Sequence, residues 1–251
     1  MVAWKRVLLV WVSSLVLVAV FLWFFGASTG MAFQARFIGW RVPVVKKTPV
    51  QLADLSLSST AGGKFSFSGY DFDLPWDDLD PSKSKLVGKM QVLVFHSGNT
   101  ILVSRSHARD FVRVVLHSGF DRDSFESIYG PDPLHSDFAM YQTVLRATPA
   151  QVTPFLPKSE AAARLTILSI KAIAVPGSPD TDLLAIRSPN FPGFQFGDPN
   201  KHPSTIVLDL FSDDGGLEFT ISSKNNGLAP PITQPALNRI IQSARKSPNL
   251  P

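Results

Sequence analysis

The hydrophobic and polar positions divide the chain into an apolar N-terminal run and a longer region of alternating character. Val7 to Phe25 contains no charged residue, no proline and no glycine, and Lys5 and Arg6 precede it. A helix of about 20 apolar residues, rising about 1.5 Å per residue, spans the hydrocarbon core of a bilayer. The pattern therefore predicts a transmembrane helix within residues 1–26, with the lipid bilayer as its partner along Val7 to Phe25.

A cleaved secretory signal is the alternative interpretation of this run. The apolar region of a signal peptide is usually about 7–15 residues long and ends at small residues. The run here is longer and ends in Trp23, Phe24 and Phe25, side chains that favour the membrane–water interface. We interpret it as an uncleaved, single-pass signal anchor. The basic pair before it favours a cytoplasmic N-terminus and an extracytoplasmic C-terminal domain, although basic residues also follow the run.

Beyond the anchor, residues 27–45 are interpreted as a stalk or linker and residues 46–251 as one domain. Period-two alternation predicts half-buried strands. It occurs at 65–67, 70–74, 89–97, 101–104, 183–186 and 194–196, and in a hairpin of 205–212 and 217–223. Apolar residues at helical spacing predict helices near 111–116 and 124–129, and at 136–146, 158–175 and 233–246, although β-branched residues make the end of 158–175 ambiguous. This order predicts an α+β domain with an antiparallel sheet covered by helices.

Composition narrows the function classes. The chain contains no cysteine, which excludes a disulfide framework, a thiolate nucleophile and a cysteine-ligated zinc site. Its 24 basic and 20 acidic residues form no basic stripe with interleaved aromatic residues, so nucleic acid is not an expected partner. No cofactor motif is present, and we expect no cofactor.

The densest group of potential metal ligands is an acidic cluster before and after a Pro-Trp pair. Clustered carboxylates can bind Ca²⁺, which takes six to eight oxygen ligands. The spacing lacks the glycine and the distal glutamate of an EF-hand loop, and turn or strand-surface positions explain the same residues. The candidate metal ligands are Asp71, Asp73, Asp77, Asp78 and Asp80.

Three aromatic residues are candidates for ligand binding. Phe194 and Phe196 lie between two glycines in Gly193 to Pro199, and Trp76 follows Pro75. Such residues can form an exposed platform for a peptide or a small apolar ligand. Strand alternation favours the other interpretation, in which Phe194 and Phe196 pack in the core.

No catalytic set of residues stands out. The five histidines are His96, His107, His117, His135 and His202. None has the paired histidine and glutamate of a zinc-binding helix. Catalysis would require the fold to bring a histidine and a carboxylate together in a pocket. The catalytic residues are therefore unknown, and an enzyme is the less favoured class.

Three segments carry a resemblance to known proteins. Phe72 to Asp78, Gly193 to Pro199 and the final helix resemble segments of uncharacterised single-pass bacterial membrane proteins. The order of elements is also similar to that of the PsbP-like α+β sandwich. These resemblances imply a binding or assembly-accessory role in the cell envelope, with another envelope protein as a possible partner. The alternative is a membrane-anchored hydrolase that uses aspartate and histidine residues.

Overall fold

The computed structural model describes residues 25–53, 62–120, 122–175, 181–188, 190–201, 204–223 and 231–248. The predicted anchor lies outside these ranges except for Phe25 and Gly26, and His202 also lies outside them. Among the helices within these ranges, none combines the length and the apolar character needed to cross a membrane.

The described residues form an α+β structure with six α-helices and eleven strands. The helices are α1 (residues 25–41), α2 (Asp110–His117), α3 (Arg122–Tyr129), α4 (Asp137–Arg146), α5 (Lys158–Ala174) and α6 (Gln234–Ser243). The first strands are β1 (Val50–Gln51), β2 (Lys64–Phe67), β3 (Tyr70–Asp73), β4 (Lys85–Val87), β5 (Met90–Val94) and β6 (Asn99–His107). The others are β7 (Leu183–Ile186), β8 (Gly193–Phe196), β9 (Thr205–Ser212), β10 (Gly215–Ser223) and β11 (Arg245–Lys246).

The strands form one large sheet and one small sheet. The large sheet has eight strands in the order β1-β7-β8-β9-β10-β6-β5-β4, and the small sheet has the order β11-β3-β2. The predicted antiparallel sheet is wrong in one respect, because β1 pairs with β7 in parallel and the large sheet is therefore mixed. The chain leaves β1 and returns to β7 through the other strands and helices, and a crossover connection of that kind permits parallel pairing.

The large sheet is the middle layer of the domain. Along β9, the side chains of Ile206, Leu208 and Leu210 join a core cluster with the small sheet and α6. Val207 and Phe211 point to the opposite face and pack in a cluster with α1, α4 and α5. Because both faces of β9 are covered, a charged residue within this strand requires a specific explanation.

The predicted hairpin at 205–223 is confirmed, with a turn two residues shorter than expected, and so is the helix that begins at Lys158. The hairpin of β9 and β10 has Asp213 and Asp214 between its strands, and Gly215 has a φ of 147°. A Cβ atom at Gly215 would lie 2.1 Å from the Ser106 carbonyl oxygen, so close strand approach also requires glycine there. α5 remains helical to Ala174 despite its β-branched residues, since helices and sheet pack around it.

The C-terminal helix is shorter than its sequence pattern predicts. α6 ends at Ser243, and Arg245 and Lys246 form the short strand β11. β11 pairs with β3, and the Lys246 ammonium lies 3.2 Å from the Asp214 carboxylate. Both basic residues therefore belong to the small sheet, and Lys246 connects it to the β9–β10 turn instead of capping a helix.

The segment interpreted as a stalk is part of the folded domain. Residues 25–41 are helical, and Ser28, Ala32 and Ala35 are buried against the domain. At Gly39 a Cβ atom would lie 2.8 Å from Cγ of Pro149, which shows how closely α1 approaches the loop after α4. The small residues that suggest a linker in the sequence are the packing face of α1.

A buried lysine fixes the segment that follows α1. Lys171 on α5 is fully buried, and its ammonium donates hydrogen bonds to the carbonyl oxygens of Val45, Lys47 and Ala147, at 3.1, 2.6 and 2.7 Å. Burial lowers the pKa of Lys171 to about 8. One side chain thus connects α5 to the turn after α1 and to the end of α4.

Candidate binding site

A small cavity lies where α2 and α4 cover one end of the large sheet. Its volume is about 170 Å³, and the residues that line it come from β6, β9, β10, α2 and the start of α4. Pockets for drug-sized ligands are usually about 300–1,000 Å³. A cavity of this size suits a chemical group of a few heavy atoms. We call it the acidic cavity because its polar lining includes the carboxyl groups of Asp137, Asp209 and Glu218.

Strand register brings two of these carboxyl groups together. Glu218 on β10 is paired directly with Asp209 on β9 and, on its other side, with Ser104 on β6. Directly opposed residues on neighbouring strands have Cβ atoms about 4.5–5.5 Å apart and point to the same face. The two carboxyl groups are therefore neighbours on the helix-covered face, with Asp209 half-buried and Glu218 exposed at the edge of the cavity.

The surroundings raise the pKa of both groups. Loss of hydration is the largest cause of the raised Asp209 pKa, which reaches about 7, and the negative charge of Glu218 acts in the same direction. The Tyr141 hydroxyl, which donates to the Ala174 carbonyl oxygen at 3.5 Å, acts in the opposite direction and lowers the Asp209 pKa. Loss of hydration also raises the pKa of Glu218. Asp209 thus changes its charge near neutral pH.

The third carboxyl group is buried at the start of α4. Asp137 is 7 % exposed, and its Oδ1 accepts a hydrogen bond from the backbone N–H of Val112 at 2.9 Å. Its Oδ2 is buried and has no hydrogen-bond partner among the described residues. A buried carboxylate oxygen without a donor is unfavourable, and most such atoms in folded proteins are satisfied. Asp137, one of the residues that line the acidic cavity, therefore carries an unsatisfied acceptor oxygen.

Aromatic rings form the apolar part of the lining. The rings of Phe111 and Tyr141 meet edge to face with centroids 4.6 Å apart, and Phe211 lies 5.5 Å from Tyr141. All three residues line the acidic cavity. Burial is the largest cause of the raised pKa of Tyr141, and the negative charge of Asp209 adds to it, so the hydroxyl remains a proton donor.

One basic residue lines the acidic cavity, but its guanidinium interacts elsewhere. Nη1 of Arg105 donates to the carbonyl oxygen of Ser68 at 2.9 Å, and Nη2 lies 3.8 Å from the Asp214 carboxylate. The guanidinium carbon lies 5.3 Å from the centre of the Tyr70 ring. These contacts direct its charge towards the small sheet, so the balance inside the cavity is acidic.

Three of the predicted metal ligands, Asp71, Asp78 and Asp80, accept hydrogen bonds from serine residues of the domain. Asp80 is buried and accepts hydrogen bonds from the backbone and the hydroxyl of Ser82, and the Lys83 ammonium lies 2.9 Å away. The Ser82 hydrogen bond is the largest cause of the lowered pKa of Asp80. Asp78 accepts from the backbone of Ser97, and Asp71 from the Ser66 hydroxyl.

The other two predicted metal ligands are Asp73 and Asp77. The backbone N–H of Asp73 donates to the Ser243 hydroxyl, and Asp77 lies between Trp76 and Asp78 in the loop after β3. Across the described ranges, no group of three or more His, Asp or Glu side chains could hold a metal ion. Calcium binding at Asp71 to Asp80 stays a prediction.

Two of the predicted aromatic binding residues, Phe194 and Phe196, belong to a hydrophobic core, and Trp76 is partly buried against another. Phe194 and Phe196 are 1 % and 2 % exposed, and both rings contact Tyr141. Trp76 packs its ring edge to face against Phe95, with centroids 5.0 Å apart. Phe194 and Phe196 therefore pack against Tyr141 in the lining of the acidic cavity and do not form an exposed platform.

The four histidines in the described part of the chain do not line the acidic cavity. His96, His107, His117 and His135 are all exposed. His96 lies 3.6 Å from the Asp80 carboxylate at the surface. The structure therefore does not gather these four described histidines with the carboxyl groups of the acidic cavity.

The sequence pattern did not predict the residues that line the acidic cavity, although Asp209 is unusual at its position. Asp209 interrupts the apolar sequence Ile206 to Phe211, and a carboxylate at that place needs a reason. Glu218 follows the alternation of β10 and looks like an ordinary solvent-facing residue. Asp137 looks like a helix-start residue. Only the packing of α4 on the sheet shows that the three belong together.

Comparisons with known proteins do not assign a role to the acidic cavity. No family model matches the chain, and neither a curated protein nor a solved structure matches it. The interpretation of the acidic cavity therefore rests on the chemistry of the residues that line it.

Proposed function

We propose that this protein is a membrane-anchored binding protein that takes up a small organic cation, a primary ammonium or a guanidinium group, in the acidic cavity. The observation that carries the proposal is that Asp137, whose buried Oδ2 has no partner among the described residues, lines the same cavity as Asp209 and Glu218. A cation with N–H donors would satisfy this oxygen and neutralise the neighbouring carboxylates.

The rest of the lining supports a cation over a neutral ligand. Removing a carboxylate from water without a partner is unfavourable, and a paired cation offsets that loss. The rings of Phe111 and Tyr141 can contact the stem or the face of the cation, because aromatic faces attract positive charge. Hydroxyl groups of Ser104 and Ser106 at the same cavity add acceptors.

The proposed location and partner follow from the N-terminal run. We propose that Val7 to Phe25 anchors the chain, with the N-terminus in the cytoplasm and the domain outside it. The cationic group can belong to a free amine or to a lysine or arginine of another envelope protein. If the cation is a lysine or arginine side chain of a partner protein, the acidic cavity binds that side chain, and the protein has an assembly-accessory role.

A thermal-unfolding series on the full chain tests the binding proposal. Agmatine supplies a guanidinium, putrescine supplies primary ammonium groups, and butanediol is a neutral counterpart. A ligand that binds only the native state raises Tm with concentration. Agmatine and putrescine should raise Tm at about pH 8, where Asp209 is ionised, and butanediol should not.

Variants separate cavity binding from general ionic effects. Asp137→Asn and Asp209→Asn should abolish the amine-induced rise in Tm. Glu126→Gln removes an exposed carboxylate on α3 and is the matched control, which should respond as the wild type does. An equal response in all variants, or no response of the wild type to either amine, contradicts the proposal.

A membrane-anchored hydrolase is a second candidate, and one observation favours it. Asp209 has a pKa of about 7 and lies beside Glu218, which is the arrangement of a general acid and a general base near neutral pH. The support comes from the carboxyl groups, since the described histidines are exposed. Hydrolysis of a panel of ester and glycoside substrates that is lost in Asp209→Asn and kept in Glu126→Gln would favour this candidate.

A further inference from the structure

Helix α1 carries large aromatic side chains on its solvent-facing side. Phe33, Phe37 and Trp40 are 76 %, 50 % and 67 % exposed. Their spacing of four and three residues places them on one face of the helix. We call this set the aromatic stripe. Large exposed apolar surfaces on a folded protein usually mark a surface that another molecule covers.

The aromatic stripe points away from the domain. The opposite face of α1 consists of Ser28, Ala32, Ala35 and Gly39, all buried. The Ser28 hydroxyl donates to the carbonyl oxygen of Leu156 at 2.8 Å, which fixes that face to the loop before α5. α1 therefore lies between the domain and whatever covers the aromatic stripe.

Positive charge accompanies the aromatic stripe. The guanidinium carbon of Arg41 lies 5.5 Å from the centre of the Phe37 ring and 5.2 Å from that of Trp40. Arg36 is exposed on the same helix. Residues 25–53 contain four basic residues and no acidic residue. The surface that covers the stripe must therefore accept aromatic rings and positive charge together.

We propose that the aromatic stripe rests in the headgroup region of an anionic phospholipid bilayer. Helices that lie in the plane of the membrane interface carry tryptophan and phenylalanine on their membrane-facing side, together with basic residues that attract anionic lipids. The headgroups supply negative charge for Arg36 and Arg41, and the interface accepts aromatic rings. This contact orients the domain on the membrane.

The position of α1 in the chain supports the same occupant. Phe25, the last residue of the predicted apolar run, lies in α1, and Phe155 is 70 % exposed with its ring 6.1 Å from that of Phe25. At about 1.5 Å per residue, Trp40 lies about 22 Å from Phe25 along the helix. Phe25 and Phe155 thus add aromatic surface at the end of α1 that lies next to the predicted point of membrane entry.

A second copy of the chain fits the aromatic stripe less well. A symmetric pair formed through this face would bring Arg36 and Arg41 of one copy close to the same residues of the other. Like charges placed opposite each other disfavour such an interface. The inference uses the proposed anchor only to bring the chain to a bilayer, and it does not depend on what the acidic cavity binds.

Single nitroxide labels on the full chain test the inference. The chain has no native cysteine, so Phe37→Cys and Trp40→Cys each give one unambiguous label, and Lys85→Cys on exposed strand β4 is the aqueous control. The labelled chains are reconstituted into vesicles of phosphatidylcholine with phosphatidylglycerol. Spin-label relaxation then measures collision with oxygen, which concentrates in lipid, and with a water-soluble nickel complex.

The expected result is a several-fold lower nickel accessibility at positions 37 and 40 than at position 85. In vesicles of phosphatidylcholine alone, or with Arg36→Gln and Arg41→Gln, this difference should decrease. Equal nickel accessibility at all three positions overturns the inference, and so does spin–spin broadening between copies, which would show that a second chain covers the stripe. Failure of the chain to associate with vesicles contradicts the proposed anchor as well, whereas agmatine binding tests the cavity separately.

Discussion

Asp209 places a carboxyl group under α4 and beside Glu218, and its raised pKa means that ionisation opposes folding. Natural proteins accept such destabilising groups where they serve binding or catalysis. The free energy of unfolding is therefore a second readout of the acidic cavity, independent of any ligand. The direction of its pH dependence follows from the proton balance between the native and unfolded states.

The first prediction concerns Asp209→Asn. Between about pH 4 and pH 7 the native state keeps a proton that the unfolded state has released, so this residue makes stability fall as pH rises through that window. The loss in the free energy of unfolding should be on the order of 4 kcal/mol at about 1.4 kcal/mol per pKa unit. Asp209→Asn should therefore be more stable than the wild type at about pH 8 and similar to it at about pH 4, as urea denaturation can measure.

Glu126→Gln is the control for that experiment, since it removes an exposed carboxylate outside the acidic cavity. Its stability should follow the wild type at both pH values. A difference between Asp209→Asn and the wild type that is the same at both pH values would show that ionisation of Asp209 does not oppose folding.

The second prediction concerns Lys171, which donates to three carbonyl oxygens in the interior. Lys171→Met keeps a long apolar side chain but leaves the acceptors on Val45, Lys47 and Ala147 without this donor. The variant loses hydrogen bonds from a charged donor and leaves buried acceptors unsatisfied. We therefore expect its free energy of unfolding, measured by urea denaturation, to fall by on the order of 3 kcal/mol. Lys158→Met, on the exposed start of the same helix, should change stability little. Equal stabilities of the two variants would contradict the role given to Lys171.

At the scale of elements, the sequence was most informative where one periodicity dominates a long segment. The β9–β10 hairpin could be predicted because Leu217, Phe219 and Ile221 alternate with polar residues, and the structure pairs these strands in that register. α1 could not be recognised as part of the domain. Its packing face consists of small residues, and its large aromatic residues face outwards, so no apolar stripe of the usual kind marks the buried side.

The acidic cavity could not be predicted for a related reason. Asp209 and Glu218 meet through strand register, which the hairpin pattern does contain, but burial by α4 depends on where a distant helix packs. Asp137 and Tyr141 reach the site through that packing alone. An ionisable residue in a strand indicates a buried polar site only when both faces of the sheet are known to be covered.

The third prediction compares two glycines of α1. At Gly39 an added Cβ would lie 2.8 Å from Cγ of Pro149, whereas at Gly30 nothing lies within 4 Å. Gly30→Ala should stabilise the protein by about 0.5–1 kcal/mol through helix propensity. Gly39→Ala should destabilise it, because α1 must move away from Pro149. Thermal unfolding of both variants measures the difference, and a stabilising Gly39→Ala would show that α1 is not held against the domain as described.

At the scale of the whole molecule, the domain offers two distinct surfaces. The acidic cavity opens between α2, α4 and the large sheet, whereas the aromatic stripe lies on the outer side of α1. Lys171 and the small residues of α1 hold the two parts in one folded unit. A chain built in this way can present a cation-binding site at a fixed orientation to the membrane, provided that both proposals hold.

The most direct test of the central claim is calorimetric titration of agmatine into the full chain. Because a bound cation favours ionised Asp209, affinity should be about tenfold weaker at about pH 6 than at about pH 8. Saturable binding at the higher pH, loss of binding in Asp137→Asn and wild-type affinity in Glu126→Gln are the predicted results. No saturable heat, or an affinity that is unchanged by pH and by Asp137→Asn, would contradict cation binding in the acidic cavity.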